Sequence, residues 1–223
     1  MGPGEVAVFR RMRTDLSKMR IVFNPATADR WKDVEKVLGE RGGCGGCWCM
    51  FWRLPRKEWE EGKGAANKRA LKKIVSGGDH PPGILAYVKG EPIAWCAVAP
   101  RGVYPALGRS RVLKPVDDKP VWSVSCLFVL KAYRRQGVSV RMLEAAAAFA
   151  RSNGASIVEG YPVEPSSERL PDPFIWTGVA SAFRKAGFKE VARRSATRPI
   201  MRRVTRRCGK QPRGSLPPPT SRP

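Results

Sequence analysis

Acidic residues are what this chain has least of. Asp and Glu number 19 against 42 Lys and Arg, which leaves a net charge of +23 on 223 residues. Such a surface attracts polyanions and repels polycations, with plain solubility charge as the alternative reading. Long apolar runs are also missing: none approaches the ~20 residues that a membrane-spanning helix needs. The arginines near the start are followed by no apolar segment, which excludes a secretory signal, so a cytoplasmic location and no membrane partner are expected. Histidine is reduced to His80, ahead of two prolines in a loop, where it has no visible partner and reads as incidental. Cys44 and Cys47 form half of a zinc-type pattern, but no second Cys-x-x-Cys or Cys/His pair follows, so no metal is expected. Cys96 and Cys126 fall inside apolar segments and read as small core residues. Nucleotide motifs are absent as well, both Gly-x-Gly-x-x-Gly and Gly-Lys-Ser/Thr.

What remains is ordinary globular composition, 42% hydrophobic and 27% charged. It suffices for one buried domain, expected over 21–205. Residues 1–20 have no clear periodicity and read as an extension, disordered or upstream of the true start. Residues 206–223 form a basic Pro/Arg-rich tail that cannot bury a core. Within the domain, apolar spacing predicts a helix over 28–39, which Thr27 can cap, with Trp31, Val34, Val37 and Leu38 on one stripe. The segment Cys44-Gly45-Gly46-Cys47-Trp48-Cys49-Met50-Phe51-Trp52-Arg53 follows, then a helical stretch over 57–75. A hairpin is predicted over 84–89 and 93–99, an exposed connection over 101–119, and a strand over 121–130. A helix over 138–153, a strand over 157–163, a short helix over 178–186 and a closing hairpin over 188–193 and 199–204 complete a mixed α/β domain around one sheet.

The strand over 121–130 runs through Lys131-Ala132-Tyr133-Arg134-Arg135-Gln136-Gly137 into an Ala-rich helix. A strand, a glycine turn and a helix N-terminus leave several backbone N–H groups at one place, and the helix dipole adds to them. Arg134 and Arg135 supply fixed charge, and Gly137 allows close backbone approach. This is a pyrophosphate site in outline.

Arg134-x-x-Gly137-x-Ser139 resembles the acetyl-CoA loop of the GNAT N-acetyltransferases, with Ser139 where the family places Gly or Ala. A second stretch, Ser181-Ala182-Phe183-Arg184-Lys185-Ala186-Gly187-Phe188, is similar to the family's late helix. The resemblance extends over about 19–204 and is clearest from Ile84 onward. It implies a central, mostly antiparallel twisted sheet, splayed at the cofactor site and flanked by helices. It also implies acetyl-CoA as co-substrate, with pantetheine against backbone groups of Leu127, Phe128 and Val129. The pyrophosphate would lie on the loop Arg134, Arg135, Gln136, Gly137, Val138 and Ser139. The implied reaction is direct acetyl transfer to a primary amine, a small molecule or a peptide.

Many relatives carry a tyrosine in the late helix as acid; the aligned residue here is Phe183, which cannot donate and reads as a core contact. The strand before the loop holds Ser123 and Ser125 and no carboxylate. Glu159 and Tyr161, one strand further on, are the candidates for base and for acid or water relay, with a surface position as the alternative for each. Glu164 and Glu168 are weaker candidates. The Cys/Trp segment reads either as a wall of the acceptor pocket or as packing for the second helix. The basic surface disfavours polycationic acceptors. A competing reading is an acyl-CoA-fold protein, weakly or not catalytic, that binds nucleic acid or ribosome through its tail. Monomer and homodimer both remain open.

Overall fold

The computed structural model describes residues 16, 19–165 and 174–205. Seven strands form one sheet in the order β1-β2-β3-β4-β5-β7-β6. They are β1 (Ile21–Pro25), β2 (Gly83–Val88), β3 (Glu91–Pro100), β4 (Trp122–Val129), β5 (Ile157–Gly160), β6 (Lys189–Arg193) and β7 (Pro199–Val204). Every neighbouring pair is antiparallel except β4 with β5. The expected mixed α/β architecture is therefore the one observed.

Two helical layers cover the sheet. On one face lie α1 (Trp31–Leu38), α2 (Arg56–Glu61) and α3 (Ala65–Gly77), and on the other α5 (Val138–Ser152) and α6 (Ala180–Lys185); α4 (Pro105–Arg109) sits at one end. Trp31, Val34, Val37 and Leu38 are buried at the spacing of one helical face. They meet Leu85, Tyr87, Trp95 and Ala97 from β2 and β3. The alternate residues Ile84, Ala86, Val88, Cys96 and Val98 point to the opposite core, as the two-residue strand period requires. On α5, Met142, Leu143, Ala146, Ala147 and Ala150 are buried against that second face. The alanines let the helix approach the sheet closely, and each large side chain contributes roughly 1.5–3 kcal/mol of burial.

Several expectations are corrected. Thr27 makes no capping bond to the backbone; its hydroxyl accepts from Arg30 Nη1 at 2.7 Å instead. The stretch over 57–75 divides into α2 and α3 at Gly62 and Gly64, where Gly64 takes φ +88°. The connection over 101–119 holds α4, which puts Tyr104 and Leu107 into a third small core. The strand over 157–163 ends at Gly160. Leu16, inside the expected extension, is buried at 3% exposure, and Met19 packs against the same core. Residues 1–15 and the tail from 206 lie outside the described residues. Among those described, no helix is long and apolar enough to cross a membrane.

β4 carries one residue more than β3. Ala97 faces Cys126 while Val98 faces Val124, so Ser125 is the extra residue of a bulge. The bulge puts Val124 and Leu127 on the same side of the sheet and bends β4 near its middle.

Candidate active site

β4 and β5 pair only through Trp122–Val158, Ser123–Glu159 and Val124–Gly160. Beyond Gly160 the two chains diverge, although β4 runs on to Val129. Part of the gap is filled by the segment 175–179. The Leu127 N–H donates to the Trp176 carbonyl at 2.8 Å, and Val163 forms an isolated bridge with Val179. Leu130 donates to Ile93 of β3 at 3.0 Å. Strand alternation therefore turns the Leu127 C=O and the Val129 N–H toward the gap.

A cavity of about 870 Å³ opens there. Leu127, Phe128 and Val129 form one wall, and Ile175, Trp176, Val179 and Ala182 another. Arg134, Arg135, Gly137, Val138 and Ser139 close one end. Arg135 takes φ +62° and Gly137 φ +76°, the left-handed region. A non-glycine residue there costs about 1–2 kcal/mol. Such a turn before a helix directs successive N–H groups into one concavity; the Val140 and Arg141 amides close on the Gly137 carbonyl, which leaves those of Val138 and Ser139 without an intrahelical acceptor. No acidic residue stands in that first turn. Among the described residues the lining contains Arg134, Arg135 and Lys185 and neither a carboxylate nor a histidine. The Arg134 Nε donates to the Val129 carbonyl at 2.7 Å, and its guanidinium lies 5.8 Å from the Phe128 ring centre. The charge is thereby fixed where β4 meets the turn.

Of the residues expected to bind the cofactor, all line this cavity except Gln136. Its amide turns away, donating from Nε2 to the Ala132 carbonyl and accepting at Oε1 from the Leu16 N–H, both at 3.1 Å.

Glu159 and Tyr161 require a larger correction. Neither lines the cavity; they are 1% and 0% exposed. One Glu159 oxygen accepts from Arg101 Nη1 at 2.9 Å and from the Tyr161 hydroxyl at 2.7 Å. The other accepts from Arg202 Nε at 2.6 Å. Arg202 also reaches Asp117 at 2.8 Å, and the Tyr161 oxygen lies 2.8 Å from Ser123 Oγ. Burial, then the adjacent Glu159 charge, pushes the Tyr161 phenol far above its ordinary value. Two guanidiniums thus neutralise the Glu159 carboxylate, which stands apart from the cavity lining. Glu164 pairs with Arg184 and Arg193 at the surface, and Arg193 first, then Arg184, holds its carboxyl low. Glu168 lies outside the described residues. Phe183 is a core contact, fully buried against Gly160, Gly178 and Phe188.

The Cys/Trp segment packs on the second helix through Phe51 and Trp59, and Trp48, Phe51 and Trp52 do not line the cavity. Gly43 and Cys44 line the cavity. The Phe51 ring packs on Trp52 at 4.7 Å, on Trp59 of α2 at 5.0 Å and on Trp176 at 5.4 Å. Cys49 Sγ accepts from Trp95 Nε1 at 3.1 Å, and among the described residues no three metal-ligating side chains gather. Sequence reasoning treated Trp176 only as part of an apolar patch and missed Tyr104, whose hydroxyl accepts from Arg53 Nη2 at 3.2 Å. Arg101, Asp117 and Arg202, which neutralise Glu159, left no signal in spacing.

A family model described as Acetyltransferase (GNAT) family matches residues 48–168. No curated relative matches the chain. Among solved structures, a GNAT-family acetyltransferase from Listeria monocytogenes superposes with a TM-score of 0.52 at 7% identity, covering 85% of this chain and 97% of that one. The PaiA N-acetyltransferase from Thermoplasma acidophilum, in complex with coenzyme A, gives 0.46 at 13% identity, covering 84% and 100%. A polyamine N-acetyltransferase from Drosophila melanogaster gives 0.47 at 12%, covering 82% and 98%. The family match spans more than half of the sequence and takes in β4, its bulge and the turn before α5. On that match, the chain belongs to the GNAT acetyltransferase family.

Proposed function

We propose that this protein is an acetyl-CoA-dependent N-acetyltransferase acting on a primary amine. The observation that carries the reading is the parting of β4 and β5 around a cavity that ends on the turn 134–139. The residues fit the donor: N–H groups at a helix start, three basic side chains, no acid among the described residues, and a volume within the range of ligand pockets. When bound, acetyl-CoA supplies an acyl group activated as a thioester. The amides of Val138 and Ser139, with Arg134 and Arg135, hold its phosphates. The Val129 N–H and Leu127 C=O are the β4 groups open to the pantetheine amides, because the Leu127 N–H is engaged by Trp176 and the Val129 C=O by Arg134.

The chain's contribution is positioning and a fixed electrostatic environment. Attack on a carbonyl needs the nitrogen lone pair, so the amine acceptor reacts as the free base. Its nitrogen attacks the carbonyl, the C–S bond breaks, and the ammonium proton passes to solvent as the thiolate leaves. The excess of basic residues favours neutral or acidic amines over polycations.

The test is thiol release from acetyl-CoA across an amine panel, with coenzyme A affinity measured in parallel. Gly137→Glu places a carboxylate in the anion turn, where no atom lies within 4 Å of the new Cβ. Coenzyme A affinity is expected to fall at least about tenfold while the melting temperature shifts by a few degrees. Unchanged affinity would overturn the donor site, and polycations as best acceptors would overturn the substrate class.

A further inference from the structure

We propose that Gln136 is a positioning residue for the anion turn, and that Leu16 is thereby a working part of the donor site. The inference rests on the reading of residues 134–139 as the site of the donor's phosphates. Gln136 stands between two left-handed residues, Arg135 at φ +62° and Gly137 at φ +76°. Its side chain is fixed at both ends. Nε2 donates to the carbonyl of Ala132, four residues back, and Oε1 accepts from the backbone N–H of Leu16, 120 residues away in sequence. The partners determine the amide's orientation, since a carbonyl only accepts and an N–H only donates.

The far anchor is itself held. Leu16 is buried at 3% exposure in the core that contains Val138 and Met142 of α5, and its carbonyl accepts from Met19 N at 3.2 Å. Gln136 thus ties the peptide planes on either side of it to a fixed point in the core. A left-handed arginine persists only where its surroundings over-determine it, and this clamp does so. Glutamine has the chemistry for the task. Glutamate could accept from Leu16 but would repel the Ala132 carbonyl. Leucine could do neither.

The experiment compares the full-length protein with Gln136→Leu, Gln136→Glu and Leu16→Pro, the last removing the N–H that Gln136 accepts while keeping an apolar side chain. Coenzyme A affinity, the KM for acetyl-CoA, the KM for the acceptor, kcat and melting temperature are measured for each. Loss of the clamp is expected to weaken coenzyme A and raise the acetyl-CoA KM by about threefold to tenfold, most in Gln136→Glu. The acceptor KM and kcat should stay within about twofold. A uniform loss of stability without that split would reduce Gln136 to a packing role and overturn the proposal, as would unchanged coenzyme A affinity in Gln136→Leu. Gly137→Glu separates the two readings. If it abolishes coenzyme A binding while Gln136→Leu binds normally, only the positioning role fails; if both bind normally, the donor site itself fails.

Discussion

Glu159 carries two arginines on its two oxygens and a tyrosine hydroxyl besides, at 1% exposure. Glu159→Gln leaves Arg101 and Arg202 facing a neutral amide in a dry site, which is expected to lower unfolding free energy by about 3 kcal/mol in urea denaturation. The rate per folded molecule should change by less than about threefold, because the network stands off the cavity. A loss of two or more orders of magnitude in kcat with normal stability would restore Glu159 to the reaction. At this scale the sequence was half legible. Arg134, Arg135, Gly137 and Ser139 could be read because their spacing is local and its chemistry is that of a helix start. Glu159 could not, since what neutralises it arrives from residues 101, 117 and 202, and no local pattern records such a meeting.

At the scale of elements, the seat of α6 on the sheet depends on small residues around one ring. A Cβ at Gly160 would lie 2.1 Å from Phe183 Cε1, and one at Gly178 2.9 Å from Cε2. Gly160→Ala must therefore push α6 off the sheet. Overpacking of this kind is expected to cost about 1–3 kcal/mol, read as a lower melting temperature, and Phe183→Leu in the same chain should recover part of it. If Gly160→Ala proved neutral, the close seat of Phe183 would be refuted. The order of helices and strands was legible from periodicity and turn residues, since both are local. The end of β5 at Gly160 was not, because Tyr161 and Val163 keep strand character beyond it although Gly160 and Pro162 interrupt the stretch. What stops the pairing there is the segment 175–179, which takes the Leu127 amide. Nor was β1 foreseen, since five residues including Asn24 and Pro25 carry little strand signal by themselves; pairing with β2 makes the strand.

For the whole molecule, the buried phenols set a limit in alkali. Burial raises the values of Tyr104 and Tyr161 above the ordinary tyrosine value of ~10. Above that pH the unfolded chain releases protons that the folded chain keeps, so stability is full below pH ~10 and falls as pH rises further. Denaturant midpoints between pH 8 and 11 check this, and Tyr161→Phe should flatten the decline. A midpoint constant to pH 11 would contradict the burial of both rings. The overall class and one-domain scale were legible from composition, whereas the depth at which each tyrosine sits belongs to tertiary packing. Trp176 joins two parts of the protein that chain order keeps apart. Its carbonyl answers to a strand edge, and its ring to Phe51 in the cysteine-rich segment. Anything that displaces that ring must also tug on the opening beside β4. Trp176→Ala, which removes the ring and keeps the carbonyl, is therefore expected to weaken coenzyme A binding about threefold in titration, and unchanged affinity would refute the link.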